Sequence, residues 1–159
     1  MPIRSADLGI NLRTRREAAL FRWFLACLLF GKPIQQTVAA HAYQELVRAG
    51  LTTPEKIIQA GWSTLVKVLG RGHYVRFDES TATKLLEVCQ GLLSRYGTLR
   101  QLIGECRNPA ELSRRLQEFK GIGPTTARIF VRDVRPVWWN PAGFRVQERS
   151  ALNKVGAWG

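Results

Sequence analysis

The sequence predicts an all-α fold. Apolar residues recur three and four positions apart along nearly the whole chain, helix start and stop signals frame those runs, and strand patterns are nearly absent. The first helix is expected over 15–30, where Thr14 and Glu17 make a capping-box pattern. Its residues are apolar almost all round, which predicts a helix running through the core, and Gly31 and Pro33 stop it. Over 34–49, Ile34, Val38, Ala42 and Leu46 fall on one face, and Gly50 suits the C-terminal cap. Thr53, Pro54 and Glu55 open a short helix, and another is expected over Ser63–Leu69, ended by Gly70. The segment 70–78 reads as a polar loop, with Asp78 placed to cap a long helix carrying Thr81, Leu85, Cys89, Leu92 and Tyr96 on one side. Gly97 closes it. Thr98 starts a short helix to about Glu105, and Asn108-Pro109-Ala110-Glu111 forms a second capping box leading to Leu112, Leu116 and Phe119. A helix over Pro124–Val134, a loop over 135–143 and a last helix over Val146–Val155 complete the chain.

Length and composition fit one globular domain over 1–159: 45% of residues are hydrophobic and 23% charged. The charge is lopsided, with 24 Lys and Arg against 12 Asp and Glu for a formal net charge of +12. It is concentrated at the ends. Residues 1–32 hold six basic and two acidic residues, and residues 120–159 hold seven and two. Such a surface points to a polyanionic partner. Cys27, Cys89 and Cys106 are widely spaced among apolar neighbours, which predicts buried thiols in a reducing cytoplasm and no iron–sulfur cluster or metal site. The most hydrophobic run, Ala18–Phe30, is interrupted by Arg22 and falls short of the roughly 20 residues a membrane span needs. Met1–Arg16 is polar and basic, which predicts no secretory leader.

The most informative stretch is "EFKGIGPTTARIF", residues 118–130. Two helices joined by Lys120-Gly121-Ile122-Gly123-Pro124 form a hairpin whose glycines allow positive φ and close approach of an anion to the main chain. Pro124 suits the first turn of the second helix, whose N-terminus offers unspent N–H groups to an anion. Ile122 is expected to point into the core and lock the turn. A P-loop is excluded, because Gly123 is followed by Pro124 and Thr125 rather than Lys and Ser or Thr. A dinucleotide fingerprint is excluded too, since a helix and not a strand precedes the glycines. Lys120, Arg128, Arg132 and Arg135 surround the turn. Phosphate of nucleic acid, held without regard to base sequence, is the ligand this chemistry suits.

Helix–Lys-Gly-Ile-Gly-Pro-x-Thr-Ala–helix resembles the helix-hairpin-helix of the base-excision DNA glycosylases related to endonuclease III and the alkyladenine glycosylases. The likeness extends back to about Arg16. "FRWFLACLLFGKPIQQT" is similar to the family's first barrel helix and following loop, and "LVKVLGRGHYVRFDESTATKLLEVCQGLLSRYGTL" to its middle helices. The resemblance implies a helical barrel over 16–134, including a hairpin over 109–134, and a reduced second lobe over 135–159. It implies double-stranded DNA as partner, a monomer, no cofactor, and contacts from Lys120, Gly121, Ile122, Gly123, Thr125, Thr126, Arg128 and Lys32. Lys32 lies where family members insert a side chain into the gap left by a flipped base; it could fill that gap or bind phosphate, and a plain surface lysine fits equally.

Two departures bear on activity. Members that cleave the strand carry a lysine two residues after the second hairpin glycine, where this chain has Thr125. Family members also use an aspartate some 18–20 residues further on, where this chain has Gly143, Phe144 and Arg145. Glu148 is the one carboxylate after Asp133, either taking the aspartate's role or serving as an N-terminal helix charge. The expected function is therefore a monofunctional DNA N-glycosylase, the alternative a catalytically silent DNA-binding member. Trp138 and Trp139 could stack a flipped base but suit a core or lobe interface better. His41 is expected to be partly buried on its helix, and His73 and Tyr74, in the polar loop, could face a substrate pocket.

Overall fold

The computed structural model describes residues 2–139, and within them every regular element is helical. Two 3-10 turns, Ser5–Leu8 and Leu12–Thr14, precede α1 (Glu17–Phe30), α2 (Gln36–Arg48), α3 (Pro54–Arg71), α4 (Asp78–Arg95), α5 (Leu99–Gly104), α6 (Pro109–Leu116) and α7 (Pro124–Trp138). A third 3-10 turn, Val75–Phe77, leads into α4. None of these helices is long and apolar enough to cross a membrane.

Helix α1 is the axis of the molecule. Ten of its fourteen residues are buried, and it packs against α2, α4, α5 and α7. Each fully buried Leu or Phe on it stabilises the fold by about 1.5–3 kcal/mol relative to exposure. Phe24 meets Phe130 of α7 edge to face at 5.5 Å, which ties the central helix to the second helix of the hairpin. The three thiols, Cys27, Cys89 and Cys106, are buried singly.

Local caps place several helix ends. Thr53, Thr98 and Asn108 accept from Lys56, Gln101 and Glu111 N–H respectively, so α3, α5 and α6 begin where their sequence signals stand. Gly50, at φ 79°, ends α2 with Gly50 N–H on Val47 O and Leu51 N–H on Leu46 O, the paired bonds of a Schellman turn. The two short helices expected between 54 and 70 are one run, Pro54–Arg71, bent at Gly61, whose φ of 84° breaks the helical path.

Four expectations fail. Thr14 and Glu17 do not form a capping box: Arg16 is the N-cap of α1, and Glu17 instead accepts from Leu99 and Arg100 N–H at the start of α5. The stretch from 135 is not a loop at its start, because α7 runs through Pro136 to Trp138. Arg15 holds that extension, donating from Nε and Nη2 to Val137 O and standing 5.0 Å from the Trp138 ring. Tyr74 does not face a pocket. It is fully buried, and its hydroxyl donates to Leu29 O at 2.6 Å, burial pushing the phenol up to about 12. His41 is exposed rather than partly buried, and shares a surface hollow with His73. The rest of the expected loop, the expected helix over Val146–Val155, and Glu148 lie outside the described residues.

Candidate nucleic-acid interface

The hairpin is built from the first turn of α6 upward. Asn108 accepts from Glu111 N–H, while the Glu111 carboxylate takes Arg107 N–H and both Arg107 and Arg115 guanidinium groups. Those bonds, the Arg107 amide foremost, hold the Glu111 carboxyl down at about 2. Helix α6 thus has a firm base from which Leu112 and Leu116 enter the core.

The chain leaves α6 through a β-turn closed by Ile122 N–H on Phe119 O at 3.1 Å. Gly121 is its third residue, with φ 98°, the left-handed value that a type II turn requires there. A Cβ on Gly121 would also stand 2.9 Å from Lys84 Cγ. Gly123 differs. Its backbone is extended at φ −98°, ψ −174°, and a Cβ there would meet nothing within 4 Å. Positive φ, expected of both glycines, is therefore needed only at Gly121; Gly123 leaves the turn's outer surface uncovered. Ile122 is 5% exposed and locks the turn into the core as expected.

The unspent donors follow from this path. Ile122 N–H is used, and Pro124 has none. Among the described residues no acceptor meets the N–H groups of Gly121, Gly123, Thr125 and Thr126. Gly123 caps α7 without a side chain, so the positive end of a fifteen-residue helix opens at this point. Such an end suits an anion.

The side chains named from the sequence divide into two groups. Thr125, Lys120 and Arg128 are exposed at or just beyond the turn. The Lys120 ammonium lies 3.8 Å from the Glu87 carboxylate of α4, a loose and solvent-screened pair. Thr126, in contrast, is buried beneath Gly31, where any Cβ would overlap its hydroxyl, so its side chain serves the contact between the ends of α1 and α7. Lys32 follows directly, its ammonium 5.3 Å from the Phe77 ring, with the Arg76 guanidinium 5.0 Å from the same ring. Thr125, Arg128, Ile129 and Arg132 share one face of α7. The last three, with Phe30 and Gln36, line a cavity of about 360 Å³ that Pro2 and Ile3 close from the N-terminal side.

Asp133, the one acid on α7, is committed elsewhere. It is buried and accepts from Ser5 N–H at 2.8 Å, Arg132 Nε at 2.7 Å and Arg4 Nη1 at 3.4 Å. Trp138 and Trp139 pack partly buried against the core.

One residue escaped the sequence reading. Lys84, on α4, is only 8% exposed, runs its stem under Gly121, and donates to Leu28 O at 3.0 Å. Burial first, and the Lys32 charge second, pull its ammonium down to about 8. A signal was present, because position 84 falls on the buried stripe of Thr81, Leu85, Val88 and Leu92.

The chain matches no family model, no curated protein and no solved structure with which it was compared.

Proposed function

We propose that this chain grips the backbone of duplex DNA with the turn 120–126 and acts in base excision, in the manner of the helix-hairpin-helix glycosylases it resembles. One observation carries the reading. Four main-chain N–H groups stand unspent around an uncovered Gly123 at the positive end of α7. Glycine at 123 adds no side chain beside them. On this reading α1 and its surrounding helices form the family's helical barrel, 135–159 belongs to a reduced second lobe, and Lys32, Lys120 and Arg128 flank the duplex. The chemistry would be hydrolysis of the N-glycosidic bond of a damaged base, with Glu148 as its carboxylate and no imine, since Thr125 stands where strand-cleaving members have lysine. A catalytically silent damage-binding protein is the second reading. It is favoured by Asp133, whose carboxylate is taken up by Ser5, Arg4 and Arg132.

Binding of labelled duplexes across a salt series tests the grip. Affinity should be nearly independent of sequence, and log K against log salt should slope by about −0.9 per phosphate neutralised. Gly123→Val, which the open space around Gly123 accommodates, should fold normally and weaken every duplex by a factor of about ten or more. Full binding by a folded Gly123→Val protein would remove the turn from the interface.

A further inference from the structure

We propose that Lys84 is a positioning residue of the phosphate site, its buried ammonium holding the end of α1 against the glycine turn and lending that turn its charge. The proposal rests on the DNA-binding reading above. Its ground is a buried cation without a counter-charge. Among the described residues no carboxylate comes within ion-pair distance of Lys84, and Leu28 O is its one acceptor, although an ammonium carries three donors. The charged groups near it are few. Lys32, just after α1, repels it, while Lys120 of the turn and Glu87, one turn further along α4, pair with each other. The C-terminal end of α1 supplies only partial negative charge. Gly121 passes over the Lys84 stem, so the side chain of this unpaired cation lies against the turn, and an anion held by the turn would be the counter-charge it lacks. Phosphate is the anion that a duplex presents there.

Proton linkage makes this testable. Burial already depresses Lys84, so near pH 8 a part of the free protein has lost this proton. A bound phosphate favours the charged form, so binding above that pH must take a proton up, and affinity must fall as pH rises. Folding stability moves the other way. From about pH 8 toward the ordinary lysine range the unfolded chain binds the proton more readily than the folded one, so this group's contribution to stability rises. Weaker binding by a more stable protein separates positioning from a merely structural prop.

Duplex affinity should be measured from pH 7 to 9 at fixed salt, with melting temperatures alongside. The wild type should hold its affinity to about pH 7.5 and lose about tenfold by pH 9 without loss of stability. Lys84→Arg, which stays charged, should bind without that alkaline fall. Lys84→Met should bind more weakly at pH 7 and equally without it. Should neither variant fold, calorimetry of the wild type in buffers of different ionisation enthalpy gives the same answer. About one proton should be taken up per complex at pH 9 and almost none at pH 7. An alkaline fall that persists in Lys84→Met, or wild-type binding with no proton uptake at pH 9, would overturn the proposal while leaving the turn as a DNA contact. Duplex affinity insensitive to both salt and Gly123→Val would instead overturn the DNA reading, and this proposal with it.

Discussion

A methyl group on Gly121 would force a left-handed backbone on an L residue and stand 2.9 Å from Lys84 Cγ. The same methyl on Gly123 would meet open space at an ordinary extended φ. The two glycines are two residues apart and differ in what they do for the fold: one is required by the turn, the other leaves the turn's outer surface uncovered. Gly121→Ala should therefore lower stability by about 1–3 kcal/mol, while Gly123→Ala should stay within about 0.5 kcal/mol of the wild type. Urea unfolding measures both. Equal destabilisation by the two would mean that Gly123, too, is held by the fold.

At the scale of the element, two carboxylates cap distant helical turns. Glu17 of α1 accepts from Leu99 and Arg100 N–H at 2.8 and 2.9 Å, covering the start of α5, and Asp133 of α7 accepts from Ser5 N–H at the start of the first 3-10 turn. Glu17→Ala should cost about 1–2 kcal/mol and speed amide exchange at Leu99 and Arg100, since both donors lose a charged acceptor. Unchanged exchange at those two amides would show that Thr98 alone caps α5. These pairs also mark where the sequence stopped being legible. Thr53, Thr98, Asn108 and Gly50 could be read because each bonds within a few residues of itself. Glu17 misled because a local partner, Thr14, stood at the right spacing while its real partners lie 82 and 83 residues away. The loop expected from 135 failed for a similar reason: Arg15, far away in sequence, bonds Val137 O, and α7 continues through Pro136. In the candidate site the turn and its core-facing Ile122 were legible from Gly-Ile-Gly-Pro. Burial of Thr126 under Gly31 and of Lys84 under Gly121 was not, because both depend on how α1 and α4 meet the hairpin.

Across the whole molecule the two basic ends come together. Ile3 O accepts from Arg132 Nη2, and Ser5 N–H bonds Asp133, so the N-terminal segment lies along α7 beside the cavity that Arg128 lines. Arg4 from the N-terminal segment and Arg132 from α7 thus meet at Asp133, with Arg128 beside them on the same face of α7. Whether the proposed DNA complex only grips its duplex or also cuts a base from it is a question about a carboxylate. Loss of a base puts positive charge on the deoxyribose, and a nearby negative charge, shielded from bulk water, stabilises that state and orients the attacking water. Asp133 is engaged by Ser5, Arg4 and Arg132, which leaves Glu148 as the remaining acid beyond the turn. The expected outcome on a panel of lesion-bearing duplexes is release of free base with the strand left intact. Borohydride should trap no covalent adduct at Thr125, which has no amine. Glu148→Gln keeps the size and hydrogen bonding of the side chain, so it should leave duplex affinity unchanged or slightly tighter while slowing base release at least about a hundredfold. Equal rates for wild type and Glu148→Gln would take the catalytic role from this residue. Duplex binding without base release from any lesion would leave the protein as a sensor that holds damaged DNA and does not cut it.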